Sequence, residues 1–197
     1  MFLFIFLLLT LFLFQSLDLS IIFLQTPFYM FHYIFFGPIT AHYLSLLSLT
    51  LILSGVIKSA QFGFHVWLPD AMEAPTPASA LIHSSTLVVA GIFLIFRFSL
   101  LFDFTPIVLQ ILAVWGGLTL SSASIIAIFQ KDIKKLVAYS TISQIGYLVS
   151  GCGILAFNET LIYLIVHALN KAFLFILVGY ITHFFNHNTD LRFMGGL

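Results

Sequence analysis

Cysteine, charge and cofactor-binding loops are all scarce in this sequence. A single cysteine, Cys152, stands in an apolar run, so neither a disulfide framework nor a cysteine-ligated metal or iron–sulfur centre can be built from these residues. Charged side chains make up only 7% of the 197 positions, and seven Lys/Arg balance seven Asp/Glu. Nucleic acid, which needs a basic face, is thereby excluded as a partner. No GxGxxG or P-loop pattern occurs, and no histidine has a clear set of fellow metal ligands, so no cofactor or metal is expected on this chain.

What is present is apolar. Hydrophobic residues account for 61% of the chain and the mean hydropathy is +1.14, far beyond what a water-soluble core requires, so the lipid bilayer is the first expected partner. The opening run MFLFIFLLLTLFLF has no basic start and no small-residue cleavage site after it, and reads as a spanning helix rather than a secretory signal. The 24 phenylalanines fit an AT-rich organellar gene.

A membrane-crossing helix takes roughly 20 apolar residues. On that rule the expected fold is all-α, a polytopic transmembrane bundle in one domain with six spans near 2–24, 43–66, 78–98, 107–129, 134–156 and 160–184. Short connections make sequence neighbours antiparallel. Lys131, Lys134 and Lys135 fall between the fourth and fifth spans and Arg192 follows the sixth, all on one side, whereas Arg97, beside Asp103, is alone opposite. The basic side is expected to face cytoplasm or matrix, with both chain termini on it.

Polar residues inside the spans carry the chemistry. Lys58 lies about two-thirds of the way along the second, where a charge costs about 2.5–3.5 kcal/mol on insertion scales. It either snorkels or ties helices together, or it is an amine held in a dry place so that it can lose its proton. Downstream, Pro69, Pro75 and Pro77 forbid a continuous helix, and Asp70 and Glu73 mark a turn at the membrane edge; the segment is a proline-rich loop or an interrupted helix of the transporter kind. In the third span His83 shares a face with Ser79, Thr86 and Ala90. It serves either packing or proton exchange.

The sixth span sets Tyr163, His167 and Lys171 at i, i+4 and i+8, with Asn170 adjoining, so they line one face. Two ionisable groups and a phenol stacked in lipid are hard to explain as packing alone. The fifth adds Ser140, Ser143 or Gln144, and Tyr147 at helical spacing, which can line a water file or glue helices. His32, His42, His183 and His187 sit near span ends, where an interfacial role is expected.

The stretches KSAQFGFHVWLPDAMEAPTPASALIHSSTLVVAGIFL, QKDIKKLVAYSTISQIGY, HALNKAFLF and RFMGGL resemble the antiporter-like, proton-translocating subunits of respiratory complex I (NADH:ubiquinone oxidoreductase). Subunit 5 is matched more than subunits 2 and 4, and Mrp-type cation/proton antiporters are related. The likeness runs over 55–197, while 1–54 match in hydropathy only. The resemblance implies that Lys58 is the central lysine of a broken helix and His83 the relay histidine of the next. It also implies that His167 and Lys171 feed the exit side, with Tyr163 as a relay candidate where the family often has histidine. It implies no redox chemistry on this chain: FMN, iron–sulfur clusters and ubiquinone belong to other subunits of the complex. The location implied is the mitochondrial inner membrane, or the plasma membrane of a bacterium.

Departures from the family are as informative. Its lysine pairs with a glutamate on a preceding helix, but Asp18 is the only acid before Lys58. A later broken helix and a long lateral helix are absent. The expectation is therefore a fragment, about the middle third of a subunit, assembled with other membrane-arm subunits and with separate chains that supply the N- and C-terminal parts and the carboxylate. Rival readings are a subunit of a multi-subunit cation/proton antiporter or hydrogenase-like complex, and a structural remnant that seals the membrane arm.

Overall fold

A computed structural model describes residues 1–36, 39–81, 86–186 and 188–195. Among them the chain is helical apart from one hairpin, β1 (Tyr33–Phe36) against β2 (Ile39–His42), antiparallel with Tyr33 opposite His42. Ten α-helices follow in chain order: α1 (Phe2–Phe14), α2 (Leu19–Gln25), α3 (Tyr43–Lys58), α4 (Trp67–Asp70), α5 (Thr76–Leu81), α6 (Leu87–Arg97), α7 (Ser99–Asp103), α8 (Pro106–Ile128), α9 (Ile133–Gly153) and α10 (Phe157–Phe184).

The last three long helices correspond closely to the fourth, fifth and sixth expected spans. Of these, α8 and α10 are long and apolar enough to cross a membrane. Their 23 and 28 residues give lengths of about 35 and 42 Å against a hydrocarbon core of about 30 Å. With 21 residues α9 has the length, but Lys134, Lys135, Ser140, Thr141, Ser143 and Gln144 dilute its apolar character. It packs against both α8 and α10, which shelter its polar groups from lipid.

The first three expected spans fare differently. Residues 2–24 do not form one straight helix: α1 stops at Gln15, whose φ is 57°, and the stretch Leu19–Tyr29 leaves at 61°. The second span ends at Lys58 rather than at residue 66, and the third is divided into α5 and α6, with 82–85 outside the described residues. Among the described residues, two helices therefore qualify as spans by length and composition, or up to three if the bent pair counts as one. The physical reason is that hydropathy registers apolar runs but not the backbone stops inside them.

Close backbone approaches hold the bundle. On α9, Gly146 faces Thr119 and Leu120 of α8, where a Cβ would meet the Leu120 nitrogen at 2.7 Å. A Cβ on Gly91 of α6 would come within 2.5 Å of the Gly55 carbonyl oxygen of α3. Small residues at such crossings let helices pack by van der Waals contact, the main attraction available between helices in lipid. Against this frame α1 packs on α3, and α5 packs on α10.

Candidate functional site

The polar row of α10 faces α9. His167 and Lys171 are both buried, at 5% and 7% exposure, on the same helix face as Thr160, Leu164, Phe175, Val178 and Thr182. The Lys171 ammonium donates to Ser140 Oγ of α9, and the Tyr163 phenol donates to Gln144 Oε1. Ser140 and Gln144 are one turn apart, so antiparallel packing brings them to Lys171 and Tyr163, which are two turns apart. The Tyr163 ring stacks on His167 with centroids 6.4 Å apart and meets Tyr147 edge-on at 5.3 Å.

Gln144, Tyr163, Val166, His167, Asn170 and Lys171 line a cavity of about 200 Å³. His167 Nε2 is buried and has no hydrogen-bond partner. A polar cavity of this size has room for water, and an orphaned ring nitrogen is the kind of group a buried water satisfies. Chemically the row offers a cationic donor, an imidazole and a phenol in sequence on one helix face, with the amine and the imidazole buried. That is a set of groups able to hold and pass protons.

Lys58 stands apart from this cavity. It is the last residue of α3 and is exposed, not two-thirds of the way along a continuous span as its surroundings in the sequence suggested. The helix is closed behind it by a paired cap, Gln61 N–H to Val56 O at 3.1 Å and Ala60 N–H to Ile57 O at 3.4 Å. Ala60 takes φ 52° at the position where such caps favour glycine. A cation in the last turn is favoured by the helix dipole, by about 0.3–1 kcal/mol at exposed sites. Among the described residues Lys58 has no ion-pair partner.

The segment after Lys58 is held by residues that sequence reasoning passed over. Gln61 is fully buried; its Nε2 donates to Ser59 O at 3.2 Å, and Thr119 Oγ1 of α8 lies 2.7 Å from its Oε1. Trp115 Nε1, also on α8, donates to Phe62 O at 3.0 Å. The break is thus tied to α8 by an amide, a hydroxyl and an indole. Their only sequence signal was a glutamine in an apolar neighbourhood.

His83 and His187 lie outside the described residues. His32 and His42 pack at a tilt against Tyr29 and Tyr33, with centroids 5.6 and 4.0 Å apart. Cys152 is buried, its sulfur 3.9 Å from Thr160 Oγ1. Among the described residues no group of three His, Cys, Asp or Glu is placed to hold a metal ion.

Lys131, Lys134 and Lys135 are brought to the same end as Arg192. The α8–α9 connection pairs with the segment after α10 through Ile133 N–H to Thr189 O at 3.0 Å and Leu191 N–H to Lys131 O at 2.9 Å. Lys135 lies 3.7 Å from Asp132. Arg192 donates through its backbone and side chain to Asp190 and holds that carboxyl below the usual carboxylate range.

The chain is 45% identical over 184 residues to NADH-ubiquinone oxidoreductase chain 5 of Chondrus crispus, covering 93% of this chain and 28% of that protein. It is 61% identical over 140 residues to the Nyctotherus ovalis protein of the same name, covering 71% of this chain and 8% of that one. NADH-quinone oxidoreductase subunit L of Rickettsia typhi is 50% identical over 154 residues, 78% of this chain and 23% of the subunit. The chain thus spans between 8% and 28% of the length of these relatives. Among solved structures, the Mrp complex from Dietzia sp. DQ12-45-1b superposes with a TM-score of 0.69 at 41% identity, over 72% of this chain and 16% of that one. Residues 1–197 match the family described as NADH:quinone oxidoreductase/Mrp antiporter, TM, and the chain belongs to that family.

Proposed function

We propose that this chain belongs to the membrane arm of an NADH:ubiquinone oxidoreductase and contributes to proton translocation coupled to electron transfer from NADH to quinone. The observation that carries the reading is the row of buried His167 and Lys171 with half-buried Tyr163 around a polar cavity of about 200 Å³. Proton transfer here means exchange between Lys171 and His167 across that cavity. Tyr163 closes the far end of the row, and Lys58 with His83 forms a second station by analogy with the family. No electron transfer takes place on this chain. FMN, iron–sulfur clusters and ubiquinone are held by other subunits, in keeping with a lone, buried cysteine.

The partners are other membrane-arm subunits and chains that complete the antiporter-like subunit, including one that brings a carboxylate to Lys58. The relatives in Chondrus and Nyctotherus favour the mitochondrial inner membrane, with the Lys131–Lys135 and Arg192 end toward the matrix. The superposition on the Mrp complex supports a second reading, a subunit of a multi-subunit cation/proton antiporter. Gentle purification of the native assembly separates the two. Copurifying flavin and iron–sulfur subunits, with NADH-driven acidification across reconstituted vesicles, is the expected result. A small assembly without redox centres that exchanges sodium for protons would overturn the first reading in favour of the second.

A further inference from the structure

We propose that Ser140 and Gln144 of α9 are positioning residues for the α10 row, holding Lys171 and Tyr163 through uncharged acceptors so that the amine keeps one place with or without its proton. The inference rests on reading α10 as a proton path. Its starting point is the direction of each hydrogen bond. Ser140 Oγ donates its single hydrogen to Val137 O at 2.8 Å, so only its lone pairs are left for the Lys171 nitrogen that donates to it. Both the ammonium and the neutral amine carry N–H donors, so the bond survives deprotonation.

A carboxylate in place of Ser140 would act differently. It would form an ion pair inside the bundle, and removal of the lysine proton would strand an uncompensated negative charge in a place where charge is expensive. Among the described residues no acid pairs with Lys171. The hydroxyl therefore fixes where the amine sits without fixing its charge.

Gln144 does the same for the phenol, a turn away along α9. Its Oε1 accepts from Tyr163, and the same side chain, whose NH₂ group is a pure donor, helps to line the cavity. In that cavity His167 Nε2 is the buried nitrogen without a partner. The phenol hydrogen is thus committed to Gln144, and the His167 nitrogen is left unpaired in the cavity that Lys171 also lines. The α9 pair sets the polarity of the row.

The test uses the intact assembly in sealed vesicles, reading NADH-driven proton transport together with NADH oxidation by a soluble acceptor and with the amount of assembled complex. Ser140→Ala should slow coupled proton transport by about tenfold, the usual effect of removing one hydrogen bond to a charged group. Ser140→Thr should restore it. Ser140→Asp should assemble and yet transport no faster than Ser140→Ala, an outcome that a merely structural serine would not produce. Gln144→Leu should likewise slow transport, and Gln144→Met, which cannot accept well from the phenol, should not rescue it.

Wild-type transport in assembled Ser140→Ala, or an aspartate that works as well as threonine, would overturn the proposal. If Ser140→Ala does not assemble, the contrast between threonine and aspartate decides alone. Loss of transport in Lys171→Ala alongside wild-type rates in Ser140→Ala would reject the positioning role and keep the proton path. Unaffected transport in Lys171→Ala would reject both.

Discussion

Lys58 and Lys171 each follow a long apolar stretch, yet the fold treats them in opposite ways. At Lys58 the helix stops, its cap closes behind it and the amine is left exposed with no ion-pair partner among the described residues. At Lys171 the helix continues to Phe184, the side chain is buried, and a serine on the neighbouring helix accepts its N–H. One site is finished within the chain; the other presents its charge at a helix end where another surface can meet it. The comparison separates two ways of keeping a lysine in a membrane protein: enclosure beside neutral acceptors, and display at a broken helix.

The largest effect that would break this comparison comes from the packing behind the enclosed site. Gly146→Leu drives a side chain into Thr119 and the Leu120 backbone and should cost about 3 kcal/mol or more, since overpacking at backbone contact cannot be relieved by a rotamer change. Thermal unfolding of the purified assembly should show the loss, with α9 parting from α8. Gly91→Val, which strikes the Gly55 carbonyl on the Lys58 side, should cost about 1–3 kcal/mol.

Arginine substitutions sharpen the contrast directly. Lys58→Arg should assemble normally because the side chain is exposed. Lys171→Arg should lower the yield of assembled complex, because a permanently charged group with five N–H donors meets a site where a single neutral hydroxyl, Ser140, accepts from the native amine. Equal yields on native gels would show that enclosure of Lys171 is not a constraint. Gln61→Leu, which strips Thr119 and the Ser59 carbonyl of a partner, should cost about 1–3 kcal/mol and open residues 59–66 to limited proteolysis.

The smallest effect belongs to the exposed end. The Asp190 carboxyl is held below its ordinary range by Arg192, so its contribution is present above the ordinary carboxylate range and fades as pH falls through the folded value. Asp190→Asn should lower the melting temperature slightly at neutral pH, because the pair is exposed, and converge with the wild type in acid, which flattens the acid limb of a plot of melting temperature against pH. A large loss at neutral pH would contradict that assignment.

Much of this was legible in residue order, unevenly. The helices α8, α9 and α10 announce themselves as long apolar runs with short polar connections, and the face shared by Tyr163, His167 and Lys171 follows from helical periodicity alone. The stop at Lys58 does not. It is made by Ala60 in a left-handed conformation that costs about 1–2 kcal/mol in an L-residue, with no glycine at the cap and the nearest proline, Pro69, well downstream. The 61° bend after α1 is hidden in the same way, at Gln15. Which polar residues of α9 meet which of α10 depends on the register between helices, and no single helix encodes that. Gln61 and Thr119, 58 positions apart, are a pair that only the folded chain brings together.

The most direct test of the enclosed site is the number of protons moved per electron by the intact assembly in sealed vesicles when Lys171 is replaced by alanine. The account predicts a lowered ratio with NADH oxidation by a soluble acceptor unchanged and Lys58 still in place. A wild-type ratio in a fully assembled Lys171→Ala complex would contradict it.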